Sequence, residues 1–131
     1  MVLSMKKILL SIKPCYVAEI LAGRKKVEYR KRIPRDADVR QVLIYASSPM
    51  KKVVAEFTIA GYLKSSPDSL WRQTSLISGI SKEGFDRYFK GKKIAYAYQI
   101  ADLRKIEPSR TLVDYGLRCG PQDYCYVEDL D

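Results

Sequence analysis

A short helix with clear start and stop signals leads directly into a strand crowded with charge, and this pair limits the fold more than any other feature. Proline at position 14 suits the first turn of a helix. Val17, Ile20 and Leu21 follow at helical spacing, and Gly23 stands where a left-handed cap would end the helix. The pattern predicts a helix from Pro14 that stops before Gly23.

The strand that follows, residues 25–32, carries charge on one of its faces. Because side chains two apart in a strand share a face, Val27 and Tyr29 point together into the core. Glu28 and Arg30 then point the other way. Lys25 comes just after the turn, and its long side chain can reach the same polar face. The sequence therefore predicts a Lys25, Glu28 and Arg30 cluster at one end of the sheet.

Basic residues are concentrated at the front of the chain. The net charge is +9, residues 1–32 hold nine basic and two acidic residues, and acidic residues gather near the other end as Asp123, Glu128, Asp129 and Asp131. A basic front favours a polyanionic partner, most often nucleic acid, because each phosphate that is neutralised releases a counterion. A membrane surface is the competing interpretation, but no strongly amphipathic basic helix supports it.

The supply of reactive side chains excludes several kinds of catalysis. Histidine is absent, which removes the commonest general base near neutral pH and the usual metal ligand. Three cysteines at positions 15, 119 and 125 lack the spacing of a zinc knuckle and are expected to be reduced thiols. The sequence predicts no metal site and no cofactor, so any catalysis depends on Lys, Glu, Asp, Tyr, Ser or Cys.

At 131 residues the chain fits one domain with a real core, predicted to span 1–131. The apolar stretch after Lys7 is too short for a signal peptide, and nowhere do about 18 apolar residues run together. These features predict a cytoplasmic protein that does not associate with a membrane.

Further elements follow from apolar spacing and turn signals. Strands are predicted at 7–12, 40–46, 52–63, 93–100 and 124–127, and helices beginning near Ser66 and Ser81, with Gly79 and Gly91 as their stops. The last thirty residues are expected to be mostly loop, because they contain two prolines and two glycines. Strands outnumber helices without regular alternation, which favours an α+β fold: a compact mixed barrel with flanking short helices.

Several of these segments together resemble the ASCH (activating signal cointegrator homology) family of PUA-like β-barrels. The resemblance rests on Leu9-Leu10-Ser11-Ile12-Lys13-Pro14, on the helix ending Ile20-Leu21-Ala22-Gly23, and on Gly23-x-Lys25-x-x-Glu28-x-Arg30. It extends through Leu43-Ile44-Tyr45-Ala46-Ser47-Ser48-Pro49 and Ala55-Glu56, and more loosely to Tyr98, so that it spans roughly residues 7 to 100. Beyond it lies a loop-rich C-terminal extension.

The resemblance implies a small PUA-like barrel with a cleft lined by the Lys25, Glu28 and Arg30 motif. It also implies binding of RNA or a nucleotide, with a role in RNA metabolism or transcription regulation. Some small members are described as amidohydrolases of acetylated cytidine and others as ribonucleases. The amidohydrolase subgroup is expected to carry a threonine where this chain has Glu28, a departure that counts against that activity.

Each member of the charged cluster has a plain and a functional interpretation. Glu28 and Arg30 form either a same-face ion pair or a site in which Arg30 binds phosphate or a base edge and Glu28 orients it. A catalytic Lys25 would need its pKa lowered from about 10.4 toward 7–8, which Glu28 opposes. Phosphate contact is therefore the easier role for Lys25, and catalysis by Lys25 and Glu28 is the alternative.

Four more residues are candidates for the same binding site. Lys13 precedes a helix start, where exposed backbone N–H groups attract anions, although a solvated lysine is equally consistent. Ser47 and Ser48 either form a turn or bind phosphate or a base. Tyr98 belongs either to the barrel core or to a stacking surface for an unpaired base.

Three classes of function follow. The first is a module that binds RNA or a nucleotide in a basic cleft. The second is a metal-independent hydrolase of a modified nucleoside, or a ribonuclease. The third is an interaction module that docks a protein partner on its acidic tail or on the tyrosine-rich strand near residue 96.

Overall fold

The computed structural model describes residues 6–128, and six strands within them form one mixed sheet. The strands are β1 Lys7–Ile12, β2 Val27–Arg30, β3 Gln41–Ala46, β4 Lys52–Ser65, β5 Ala95–Arg110 and β6 Tyr124–Val127. Their order in the sheet is β2-β5-β4-β3-β1-β6. β1 and β3 pair in parallel and all other neighbours pair antiparallel.

Three short helices flank the sheet: α1 Pro14–Leu21, α2 Pro67–Thr74 and α3 Lys82–Tyr88. α1 ends as its sequence predicts, with Gly23 at a φ of 81°. The side chains of Ser66 and Ser81 cap α2 and α3 by accepting from backbone N–H groups three residues on. Within residues 6–128, none of the helices combines the length and the apolar character needed to cross a lipid bilayer.

The sheet is strongly curved, although its backbone ladder is open. Nη2 of Arg30 on β2 donates to the backbone oxygen of Ser11 on β1 over 2.6 Å. In a flat sheet these strands, four spacings apart in the order, would be separated by roughly 19 Å. The sheet must therefore roll up so that β2 approaches β1, and the Arg30 side chain bridges the gap. The α+β prediction is confirmed, while the term barrel applies only loosely because the ladder does not close.

β2 is buried on both faces, and this is what positions a charged site inside the molecule. Val27 and Tyr29 pack with Leu70, Phe85 and Phe89 from the helical side. A larger apolar cluster fills the inside of the curved sheet and includes Ile8, Leu10, Val42, Ile44, Phe57 and Tyr98. All four residues of β2 are buried, including Glu28 and Arg30.

The largest difference from the sequence prediction is the length of β5, which continues ten residues past Ile100 to Arg110. The sequence predicts a loop in this stretch, partly because it contains Pro108. The partner strand β4 is irregular opposite it, with a register shift between the Val53 and Ala55 pairings, and proline is tolerated in a sheet at such positions. The closing strand β6 has the predicted bounds.

Candidate functional site

An open cavity of about 640 Å³ lies between the first helix, strand β2, helix α3 and a segment near the C-terminal end. Its size lies within the range usual for small-molecule sites. Five of its lining side chains are basic and one is acidic: Lys13, Lys25, Arg30, Lys51, Arg87 and Glu28. Rings of Tyr16, Tyr29, Tyr45, Phe85 and Tyr88 form much of the remaining wall. Six of the seven predicted binding residues line it: Lys13, Lys25, Glu28, Arg30, Ser47 and Ser48.

Lys25 reaches the cavity because the chain turns sharply after α1. The backbone N–H groups of Arg24 and Lys25 both donate to the carbonyl of Glu19, and Lys26 N–H donates to the carbonyl of Ile77. These bonds place the Lys25 side chain on the cavity side and leave Lys26, its neighbour, exposed.

The Lys25 ammonium is held on several sides. Nζ donates to the backbone oxygen of Ser78 over 2.8 Å and lies 3.6 Å from Oε1 of Glu28. It also lies 4.9 Å from the centroid of the Tyr29 ring and 5.3 Å from that of Tyr16, within cation–π range. The side chain is only 2% exposed.

Burial sets the protonation behaviour of Lys25. Removal from water penalises the charged form and lowers the pKa of Lys25, and the nearby Glu28 carboxylate opposes this shift without cancelling it. Arg30 adds a smaller effect in the same direction as burial. Lys25 is therefore closer to proton exchange near neutral pH than a solvated lysine.

Glu28 is held by Arg30 through one of its two oxygens. Oε2 accepts from Nε of Arg30 over 3.1 Å and from Nη2 over 2.7 Å. Oε1 is directed toward Lys25 instead. The carboxylate is thus fixed in orientation, and its second oxygen and the Lys25 ammonium form an acceptor and a donor side by side on the cavity wall.

Arg30 is occupied mainly by the protein itself. Besides Glu28 and the Ser11 carbonyl, Nη1 donates to Oδ1 of Asp123 over 3.0 Å. A guanidinium has five N–H donors, and these contacts use most of them. Arg30 therefore presents no free two-pronged fork to a ligand, and its evident effect is to orient Glu28 and to join β2 to the opposite edge of the sheet.

The mouth of the cavity carries the exposed polar residues. Lys13, at the start of α1, and Lys51, in the turn between β3 and β4, are both exposed. Ser47 and Ser48 lie in that same turn, and Arg87 extends from α3. The mouth is thus lined by cationic and hydroxyl groups, whereas the interior combines aromatic rings with the Lys25 and Glu28 pair.

Tyr98, the seventh predicted residue, does not line the cavity. It pairs with Glu28 across the β2–β5 ladder, but its ring is fully buried and packs against Phe57 and Tyr62 in the core. A ring without exposed surface offers no face for a base to stack on. The stacking interpretation of Tyr98 is therefore wrong, and the rings at the cavity are those of Tyr16, Tyr29, Tyr45, Phe85 and Tyr88.

Sequence reasoning missed several residues of the wall. Ser11, Tyr16 and Arg87 come from elements that were predicted, but no local pattern indicated that they face one cavity. Residues 120–122 enter through a contact across nearly the whole chain, in which Oγ of Ser11 donates to the Pro121 carbonyl over 2.6 Å. The local signals that did point to this place were the Gly23-x-Lys25-x-x-Glu28-x-Arg30 pattern, the helix start beside Lys13 and the turn at Ser47 and Ser48.

Comparison with known proteins identifies the family. A model of the ASCH domain matches residues 10–110, which is most of the chain. The chain therefore belongs to the ASCH domain family.

Two relatives illustrate the range of this similarity. The chain is 29% identical over 103 residues to the ASCH domain-containing ribonuclease of Zymomonas mobilis, which covers 79% of this chain and 70% of that protein. It is 36% identical over 90 residues to the large ribosomal subunit protein uL22 of Ureaplasma parvum, which covers 69% of this chain. That aligned region spans only 29% of the length of the uL22 protein.

Solved structures support the fold. The crystal structure of ASCH from Zymomonas mobilis superposes with a TM-score of 0.84 at 24% sequence identity and covers 94% of this chain and 88% of that chain. At this level of identity the likeness shows the fold alone.

Proposed function

We propose that this protein binds single-stranded RNA and takes one nucleotide of the strand into the cavity. One observation carries the proposal: a buried donor and acceptor pair, Lys25 and Glu28, lies on the wall of a nucleotide-sized cavity whose mouth is cationic. The family's connection with RNA, including a relative named as a ribonuclease, also supports RNA as the ligand.

Each part of the cavity has a task in this proposal. Lys13, Lys51 and Arg87 at the mouth neutralise backbone phosphates, which gives affinity without sequence preference. The rings of Tyr16 and Tyr88 offer apolar surface against which an unstacked base can pack. Inside, Glu28 Oε1 accepts from an N–H group of the base edge and Lys25 donates to a neighbouring acceptor.

Binding is tested with a fluorescent RNA dodecamer in which every 2′-hydroxyl is methylated, so that the strand cannot be cleaved through that group. Lys25→Met should weaken binding at least about tenfold, the effect of losing one buried charged contact. Lys26→Met is the matched control, because it removes the same charge one residue away, outside the cavity, and should change affinity less than about twofold.

The salt dependence of the same binding gives a second measure. Three to five phosphate contacts predict a slope of log affinity against log salt between about −2 and −4 for a single strand. A flat dependence, or equal effects of the two lysine substitutions, would contradict binding in the cavity.

A ribonuclease is the second candidate, favoured by the lowered pKa of a buried Lys25 beside a carboxylate. In this reaction Glu28 takes the proton of a ribose 2′-hydroxyl, the 2′-oxygen attacks the adjacent phosphorus, and the bond to the 5′-oxygen breaks. Lys25 gives its proton to that leaving oxygen. The products are a 2′,3′-cyclic phosphate and a 5′-hydroxyl, and no water is consumed.

Mass analysis of the products tests this candidate. Unmodified RNA should yield a cyclic phosphate end, lighter by one water than a linear phosphate, while 2′-methylated RNA stays intact. Lys25→Met should abolish turnover and Lys26→Met should retain it. A parallel incubation with acetylated cytidine tests the amidohydrolase alternative. RNA cleavage that survives Lys25→Met would overturn the role of Lys25 as the proton donor.

A further inference from the structure

The carboxylate of Asp123 lies between two arginines at the end of β2. Its Oδ1 accepts from Nη1 of Arg30 over 3.0 Å, and its Oδ2 accepts from Nε of Arg32 over 3.2 Å. One oxyanion held by two guanidinium groups is the arrangement by which arginines bind phosphate. Asp123 therefore fills a place whose chemistry also suits a phosphate of RNA.

The segment that carries Asp123 is itself part of the cavity wall. Residues 120–122, immediately before it, line the cavity. The segment is fastened at both ends, since Leu117 on one side and Cys125 on the other pack against a third apolar cluster, which includes Leu9 and Tyr45. A carboxylate at the end of such a wall segment is well placed to be exchanged for a ligand group at the cavity edge.

Each of the two arginines faces a carboxylate of its own only while Asp123 is present. Arg30 is already paired with Glu28 by two hydrogen bonds, so Asp123 chiefly compensates Arg32. Lys31, between the two arginines in sequence, lies over the Tyr88 ring instead, 4.8 Å from its centroid. If Asp123 turns toward solvent, the pair of arginines is left with one uncompensated positive charge.

The solvent exposure of the Arg32 side chain favours the exchange of Asp123 for a ligand group. The Arg32 side chain is 75% exposed, whereas that of Asp123 is 16% exposed. A ligand can therefore approach Arg32 from solvent without opening the core. The ion pair with Arg32 is of the exposed kind that contributes little to folding stability.

We propose that Arg30 and Arg32 form a phosphate subsite next to the cavity, and that Asp123 occupies it until an RNA phosphate takes its place. The proposal rests on RNA binding as the function and adds to it a site for the phosphate beside the bound nucleotide. Asp123 acts as an internal competitor that lowers the affinity of the free protein for RNA.

The test compares Asp123→Asn with Glu128→Gln, using the 2′-methylated dodecamer. Both substitutions remove one negative charge from the C-terminal segment, but Asp123 bridges Arg30 and Arg32 whereas Glu128 is exposed. Asp123→Asn should bind RNA about fivefold more tightly, because the carboxylate that competes with phosphate for the two arginines is removed. Glu128→Gln should stay within about twofold of the wild type. The gain from Asp123→Asn should disappear when Arg32→Gln is also present, since the subsite is then lost.

Several outcomes would overturn the proposal. Weaker or unchanged RNA binding by Asp123→Asn would show that the carboxylate does not compete with RNA. Failure of both Asp123→Asn and Asp123→Ser to fold would also overturn the proposal, because a group that is exchanged for a ligand cannot be indispensable to the fold. A gain that persists with Arg32→Gln would place the effect elsewhere.

The Lys25→Met variant in the same series distinguishes the two proposals. If Lys25→Met binds like the wild type, the cavity is not the RNA site. If Lys25→Met is defective and Asp123→Asn shows no gain, only the role of Asp123 is wrong. If neither the wild type nor Asp123→Asn binds RNA, both are wrong.

Discussion

Gly79 lies directly against the side chain of Lys25. A Cβ atom at position 79 would stand 2.3 Å from Cβ of Lys25 and 2.7 Å from its Cγ, closer than any real contact. The neighbouring carbonyl, of Ser78, accepts from the Lys25 ammonium. The backbone at residues 78–79 thus fixes both the stem and the head of this lysine, and glycine leaves room for it.

Gly79→Ala should displace Lys25 and weaken RNA binding together with stability. The φ of 59° alone costs about 1–2 kcal/mol for a residue with a Cβ, and overpacking against the lysine stem adds about 1–3 kcal/mol. Chemical denaturation and the RNA binding assay measure the two effects.

Gly91→Ala is the control for that substitution. Gly91 has a φ of 80°, yet a Cβ there would meet nothing within 4 Å. It should show the backbone cost alone and bind RNA like the wild type. Equal losses of binding in both variants would disprove the role of Gly79 in placing Lys25.

The lowered pKa of Lys25 predicts a pH dependence of stability. Between its lowered folded value and the ordinary 10.5, the unfolded chain binds more protons than the folded chain, so the free energy of unfolding rises with pH through this window. The difference between wild type and Lys25→Met isolates this effect, because the tyrosines that titrate nearby are common to both. Denaturation at a series of alkaline pH values should show the free energy of unfolding of the wild type rising relative to that of Lys25→Met. A flat or falling difference between the two would be inconsistent with a destabilised ammonium.

Arg30→Met should destabilise the fold strongly. The substitution leaves the buried Glu28 without its main partner and removes the bridge from β2 to Ser11, at a cost of about 3–5 kcal/mol. Arg32→Met removes a like charge two residues away, but its side chain is 75% exposed and the cost should stay within about 1 kcal/mol. Similar unfolding midpoints for the two variants would contradict a structural role for Arg30.

Two buried tyrosine hydroxyls should respond in opposite ways. Tyr29 donates to Oγ1 of Thr74 over 2.6 Å, since that hydroxyl itself donates to the Leu70 carbonyl. Tyr29→Phe should cost about 0.5–1.5 kcal/mol. The Tyr98 hydroxyl has no hydrogen-bond partner among residues 6–128, so Tyr98→Phe should be neutral or stabilise by up to about 1 kcal/mol. Thermal unfolding compares them, and a larger loss for Tyr98→Phe would reveal a partner for its hydroxyl.

Features with a local cause could be predicted from the sequence. The Pro14 and Gly23 signals gave the first helix, and the two-residue period correctly placed Val27 and Tyr29 in the core. The serine caps before α2 and α3 were recognisable for the same reason. The position of Lys25 could also be predicted. It comes just after the turn that ends the first helix, and its long side chain can reach the polar face that carries Glu28 and Arg30.

Features that depend on distant contacts could not be predicted. Asp123 meets Arg30 across 93 positions of sequence, and nothing near either residue indicates the other. Gly79 was interpreted as a helix stop, since a sequence does not show which side chain packs against a glycine. The strand pattern around Tyr98 does not show whether its ring faces the core or a ligand, because Phe57 and Tyr62, which pack against that ring, come from another strand.

The most direct measurement is a crystal structure with a short 2′-methylated RNA bound. We predict a nucleotide in the cavity, with Lys25 Nζ or Glu28 Oε1 within about 3.2 Å of the base or its phosphate. RNA bound instead along the exposed lysines 90, 92 and 93, with the cavity unchanged, would contradict the proposed site.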